Sequence, residues 1–190
     1  MRLENLIADI DEAAYNRIME NRTVSEDEAK RTAEIVGLAA LKYGDLSNQA
    51  TKDYVFDIDR FTSFEGNTGP YVLYTIARIN SILKKYSDTC ENTENGDVLP
   101  PSAEPEKTLM LALSRYSDVM LTCFEGLAPH KICAYIYELS NALNHFYHET
   151  KIIAEEDKKK QAGYISLVTL TRDVLMTCIN VLGFSAPERM

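Results

Sequence analysis

Apolar residues return every three to four positions over most of the chain, the period of a helix with one buried side. Leu3, Leu6, Ile7, Ile10, Ala14 and Ile18 make the first such stripe. Ser25-x-x-Glu28 reads as a capping box that opens a second helix through Ile35, Val36 and Ala40. From Gly44 to Phe64 the period weakens. Tyr54, Phe56 and Ile58 alternate with Val55, Asp57 and Asp59, which suits a short strand or an extended connector, and Asp57 equally suits the cap of a short helix.

The period returns after Phe64-Glu65-Gly66-Asn67-Thr68-Gly69-Pro70-Tyr71. Thr68 can accept a backbone hydrogen bond as an N-cap, and Pro70 suits a first turn, where its missing N–H costs nothing, so a helix is expected from Thr68 or Gly69. Val72, Ile76, Ile79, Leu83 and Tyr86 fall on one narrow arc of this helix, the side expected to face a core. Tyr71, Tyr74, Arg78 and Lys85 fall on another. Two aromatic rings with two cations can stack unpaired bases and hold phosphates, or the rings can pack on a neighbouring helix while the cations stay in solvent.

Residues 87–105 are rich in Ser, Asp, Thr, Asn, Gly and Pro, with Asn95-Gly96 and Pro100-Pro101, and are expected to form an exposed loop. Pro105 and Pro129 each precede a periodic run as first-turn prolines. After Pro129, Ile132, Ile136, Leu139, Leu143 and Phe146 share one stripe and Tyr137, Asn141, Asn144 and His148 lie opposite. The last helix carries Ile165, Val168, Leu175, Ile179 and Leu182 and is expected to end on Gly183 as a left-handed C′ residue. These elements predict an all-α fold, an antiparallel helix bundle.

Composition narrows the chemistry. At 190 residues the chain can bury a substantial core. No run of about 18 apolar residues stands ready to span a bilayer and no basic-then-apolar leader opens the chain, so a soluble, cytoplasmic protein is expected. Cys90, Cys123, Cys133 and Cys178 are isolated from one another and read as ordinary, mostly buried thiols. The net charge of −9 is unevenly spread: residues 1–66 carry −6, Asp88 to Glu106 another −6, and the remainder +3. A mildly basic face is compatible with an acidic whole.

His145, His148 and Glu149 share a helix face but form an incomplete metal set, and the Lys158-Lys159-Lys160 run, following Glu155-Glu156-Asp157, reads as a charged solvated linker. No metal site is expected. A Gly-rich phosphate loop, a G-x-S-x-G elbow and an H-E-x-x-H pair are all absent, so no catalytic residue is assigned and no self-contained enzyme is expected.

Four stretches resemble a known family. They are Lys42-Tyr43-Gly44-Asp45-Leu46-Ser47 with Asp53-Tyr54-Val55-Phe56-Asp57; the Phe64-to-Tyr74 segment running into Ala77-Arg78-Ile79-Asn80-Ser81-Ile82; Leu127-Ala128-Pro129-His130 with Tyr137-Glu138-Leu139 and Asn144-His145-Phe146-Tyr147; and the closing Leu182-Gly183-Phe184-Ser185-Ala186-Pro187-Glu188-Arg189-Met190. In order and spacing, across nearly the whole chain, they resemble the C-terminal part of arginyl-tRNA synthetases with its all-helical DALR anticodon-binding domain.

The resemblance implies a division into residues 1–66, a helical connector following the catalytic domain, and residues 67–190, the DALR domain. It implies the anticodon stem-loop of tRNA(Arg) as partner, with the central cytosine the main base read, and the upstream catalytic domain of the same polypeptide as a second partner. Neither membrane nor DNA is implied. By the same resemblance Tyr71, Tyr74, Tyr147 and Met190 take stacking or shape roles, while Arg78 and Lys85 contact phosphate. ATP with Mg belongs to the full-length ligase, and no cofactor is expected in this chain.

Leu73 stands where the family usually has glutamine, and the arginine-leucine pair often found near Tyr164-Ile165 is missing. The HIGH and KMSKS signatures are absent too, so the chain is expected to be inactive in aminoacylation by itself, as an excised C-terminal piece or a truncated gene product. A stand-alone helical RNA-binding module or a protein-interaction module derived from the synthetase is the alternative.

Overall fold

A computed structural model describes residues 2–20, 25–89, 96–188 and 190. Among them are eight helices: α1 (Leu3–Glu20), α2 (Glu26–Leu46), α3 (Ile58–Phe61), α4 (Gly69–Thr89), α5 (Glu104–Ser114), α6 (Tyr116–Gly126), α7 (His130–Glu149) and α8 (Lys158–Val181). Several of them begin or end for local reasons. Ser25 caps α2 by accepting the Glu28 N–H, and Asp57 caps α3 by accepting that of Arg60, so the weakly periodic connector holds a single helical turn. At the end of α8, Gly183 takes φ 81°, and the Phe184 N–H donates to the Ile179 carbonyl at 3.1 Å. The Gly183 N–H donates to Asn180, which completes a Schellman ending.

The predicted core stripes are the ones that pack. Val72, Ile76, Ile79 and Tyr86 of α4 are buried with Leu83 packed beside them, and so are the five stripe residues of α7 and the five of α8. Helix α7 touches α2, α4, α5, α6 and α8, so the bundle is built around it. Helix α8 is apolar and long enough to cross a membrane by length and composition, but half of its most apolar stretch is buried inside the bundle, as in a core helix.

Three expectations change. Leu3 and Ile7 are exposed, leaving Ile10 and Ala14 as the fully buried part of the first stripe. Lys158, Lys159 and Lys160 are not a linker: they form the first turn of α8, whose N-cap Asp157 accepts the Lys159 and Lys160 N–H groups. The run after Pro105 is two helices broken at Arg115 rather than one. Of the expected 87–105 loop, residues 87–89 end α4, and 90–95, with Cys90 and Asn95, lie outside the described residues. Its second half is held on α8, where Ser166 donates to the Gly96 carbonyl at 2.7 Å.

Close approach at two points sets how α4 sits. A Cβ on Gly69 would lie 2.4 Å from the Ala39 carbonyl oxygen, so α4 meets the backbone of α2 directly. The buried Tyr43 hydroxyl of α2 lies 2.8 Å from the Cys133 carbonyl of α7 and 2.5 Å from the Asn67 side-chain oxygen. One tyrosine thereby ties α2, α7 and the loop before α4. Burial, which disfavours a phenolate, pushes its ionisation well above the usual tyrosine range.

The neighbouring residues serve the same scaffold. Lys42 donates to the Gly183 carbonyl at the end of α8, and Asp45 accepts the Tyr54 hydroxyl at 2.7 Å. Gly44 leaves room for the Phe61 ring. The Lys42-to-Asp45 stretch is thus a joint between elements.

Candidate anticodon-contacting face

The loop before α4 aims its first turn. Gly66 takes φ 77°, and Thr68 donates to the Ser63 carbonyl at 2.6 Å while accepting the Tyr71 N–H at 3.2 Å. With its start fixed in this way and its apolar arc buried, α4 presents its other arc beside α7.

The polar stripes of the two helices meet there. The Tyr71 hydroxyl donates to Asn141 Oδ1 at 2.6 Å and accepts from Asn144 Nδ2 at 2.9 Å, while its ring packs edge-on to Tyr137 at 5.6 Å. Arg78 Nη1 donates to Asn144 Oδ1 at 2.6 Å. The Arg78 guanidinium lies 5.0 Å from the centroid of Tyr74 and 5.6 Å from that of Tyr147, so a planar cation sits by two exposed rings. Tyr74 is 41% exposed and Tyr147 38%, enough ring surface for a ligand to cover.

The structure therefore brings together Tyr71, Tyr74 and Arg78 from α4 and Tyr147 from α7. Tyr71 packs on a neighbouring helix, as one of the two sequence readings had it, and keeps part of its surface open. Lys85 is exposed on the same helix, about 10 Å along the axis from Arg78 at 1.5 Å per residue. Met190 is partly buried against the hydrophobic core, on a tail whose Glu188 carbonyl accepts from Asn80 of α4 at 3.5 Å. Arg189 lies outside the described residues.

Sequence reasoning gave no role to Asn141 and Asn144, although it placed them with Tyr137 on the non-core stripe of α7. An amide pair on a stripe that also carries tyrosines was the available signal. Among the described residues no group of three His, Cys, Asp or Glu is placed to hold a metal, and His145, His148 and Glu149 make none. Burial pushes the Cys133 and Cys178 thiols up to about 12, leaving them protonated and unreactive at neutral pH.

The bundle is similar to the corresponding part of solved arginyl-tRNA synthetases. All of this chain aligns with 32% of the Thermus thermophilus enzyme at a TM-score of 0.89 and 25% identity. It aligns likewise with 34% of the Plasmodium falciparum enzyme, at 0.88 and 27%. The chain belongs to the DALR anticodon binding domain family, whose model matches residues 72–190. A second family model, the catalytic domain of class I (R) tRNA synthetases, matches residues 1–58. The arginine–tRNA ligase of Agathobacter rectalis is 53% identical over all of this chain, which covers 33% of that protein. The chain thus spans about a third of the length of the curated relatives it matches.

Proposed function

We propose that this chain reads the anticodon stem-loop of tRNA(Arg) on behalf of an arginine–tRNA ligase, through Tyr71, Tyr74, Arg78, Lys85, Tyr147 and Met190. The observation that carries the reading is the exposed Tyr74–Arg78–Tyr147 group, where two rings offer stacking surface beside a cation that can reach a phosphate. Tyr71 shapes the edge of this group, Lys85 adds a phosphate contact further along α4, and Met190, held on the core by the tail, contributes shape beyond the group itself.

In this reading residues 67–190 are the RNA-binding domain, and residues 1–66, of which 1–58 match the catalytic-domain model, join it to the rest of a catalytic domain of the same polypeptide, which supplies the ATP, Mg and arginine chemistry. The ligase works in the cytoplasm, with neither membrane nor DNA as a partner. The chain by itself forms no arginyl-tRNA.

Binding of tRNA(Arg) and of the same tRNA with a mutated anticodon, compared at one stated salt concentration, tests the proposal, because phosphate attraction alone is unselective. A preference for the native anticodon supports it, and equal weak binding to both sinks it. Tyr74→Ala is expected to weaken the preferred complex by about 1–3 kcal/mol, the usual loss for one stacked base. Aminoacylation by the isolated chain would overturn the division of labour.

A further inference from the structure

Among the described residues, Asn144 hydrogen-bonds to both Arg78 and Tyr71 of the face just described. Its Oδ1 accepts from Arg78 at 2.6 Å, and its Nδ2 donates to the Tyr71 hydroxyl at 2.9 Å and to Thr75 Oγ1 at 3.4 Å. The donors and acceptors run in one direction, from Arg78 to Asn144 to Tyr71 to Asn141. Turning the Asn144 amide over would set its NH2 against the guanidinium, donor against donor, so the neighbours fix its orientation.

Arg78 has two further contacts within its own face. Its Nη2 reaches the Tyr74 hydroxyl at 3.4 Å, and its plane lies by the Tyr74 and Tyr147 rings. Among the described residues no carboxylate pairs with it in an ion bridge. The short bond to Asn144 is therefore its best-formed hydrogen bond, and it comes from a neutral group. A neutral acceptor orients a cation without cancelling its charge, whereas a carboxylate would compete with a phosphate for it.

We propose that Asn144 is the positioning residue of this face: it holds the Arg78 guanidinium beside Tyr74 and Tyr147 and links it to Tyr71, so that the RNA meets a preset surface. The use in RNA binding rests on the function proposed above; the positioning itself does not. An arginine left free would have to be ordered as RNA binds, at a cost in affinity.

Two measurements on the 190-residue chain test it. In nitrogen-edited NMR spectra, the side-chain signals of Arg78 are expected to show slow guanidinium rotation in the native protein and fast rotation in Asn144→Ala. Asn144→Asp, which keeps an oxygen acceptor, is expected to restore slow rotation. Circular dichroism and melting confirm that each variant is folded. Unchanged Arg78 rotation in Asn144→Ala would overturn the assignment.

The second measurement is affinity for a hairpin RNA carrying the tRNA(Arg) anticodon stem and loop. Asn144→Ala is expected to weaken binding about three- to tenfold, but by less than about twofold when Arg78→Ala is already present. Fully additive losses would overturn action through Arg78. If Arg78→Ala leaves binding unchanged, the anticodon reading fails, while the NMR comparison still decides whether Asn144 positions the guanidinium.

Discussion

Gly69→Ala sets two effects of opposite sign against each other. Gly69 opens α4 and its φ is not positive, so alanine fits the backbone conformation. Helix propensity and the smaller entropy of the unfolded chain then favour alanine by about 0.4–1 kcal/mol. Packing opposes this. The added Cβ would lie 2.4 Å from the Ala39 carbonyl oxygen, 2.8 Å from its carbonyl carbon and 3.0 Å from Tyr43 Cβ.

Ordinary contact needs about 3.4 Å or more for these pairs. The first atoms met are backbone within α2, so no flexible side chain can swing aside, and α4 must back away by several tenths of an ångström. Overpacking of this kind costs about 1–3 kcal/mol, enough to outweigh the gain. We expect a net loss of about 1–2 kcal/mol, or about 2–8 °C in Tm for a chain of this size. Urea unfolding with a thermal melt measures it. Gly126→Ala is the control, because the nearest atom to its added Cβ is 3.6 Å away, and it should be neutral or slightly stabilising. A Gly69→Ala protein as stable as the parent, or more so, would refute the claim that α2 and α4 meet backbone to backbone.

Tyr43→Phe should cost about 1–2 kcal/mol in urea unfolding, because the lost hydroxyl leaves the Asn67 amide and the Cys133 carbonyl with one partner fewer; a change under a few tenths would contradict the joint. Iodoacetamide followed by peptide mapping should modify the partly exposed Cys123 in the folded protein, and Cys133 and Cys178 only after unfolding. Equal labelling of all three would speak against the packing. Burial, then the hydrogen bond to Asp45, raises Tyr54 to about 12 from its usual 10. The folded state then keeps this proton where the unfolded state has lost it, so the stability Tyr54 adds is whole below pH 10 and disappears as pH rises to about 12. The stability gap between the parent and Tyr54→Phe should therefore shrink from pH 8 to pH 11.5, and a constant gap would show that the hydroxyl ionises as freely folded as unfolded.

Much of the bundle could be read from the chain alone, because a helix writes its burial into its own sequence. Period and caps located α2, α4, α7 and the end of α8, and the Val72-to-Tyr86 arc had to be internal whatever covered it. The early apolar positions misled, since Leu3 and Ile7 keep the period yet stay exposed. Lys158 to Lys160 misled in the other direction, a charged run that a single aspartate cap converts into a helical turn.

The stripe of Tyr71, Tyr74 and Arg78 was visible as an excess that no core required, and the resemblance added Tyr147, but the pairing with Asn144 was not visible. Arg78 and Asn144 are 66 positions apart, and Tyr71 and Asn144 are 73 apart. Periodicity reports which side of a helix turns inward; it carries no term for which other helix lies across from it. That choice was made by Gly69 on the α2 backbone, by Tyr43 between three elements, and by the buried stripes of α4 and α7 closing together. The chain by itself determined the helices and the surplus aromatic and basic groups, with Tyr147 added by resemblance, and tertiary packing alone decided that Asn144 would link them.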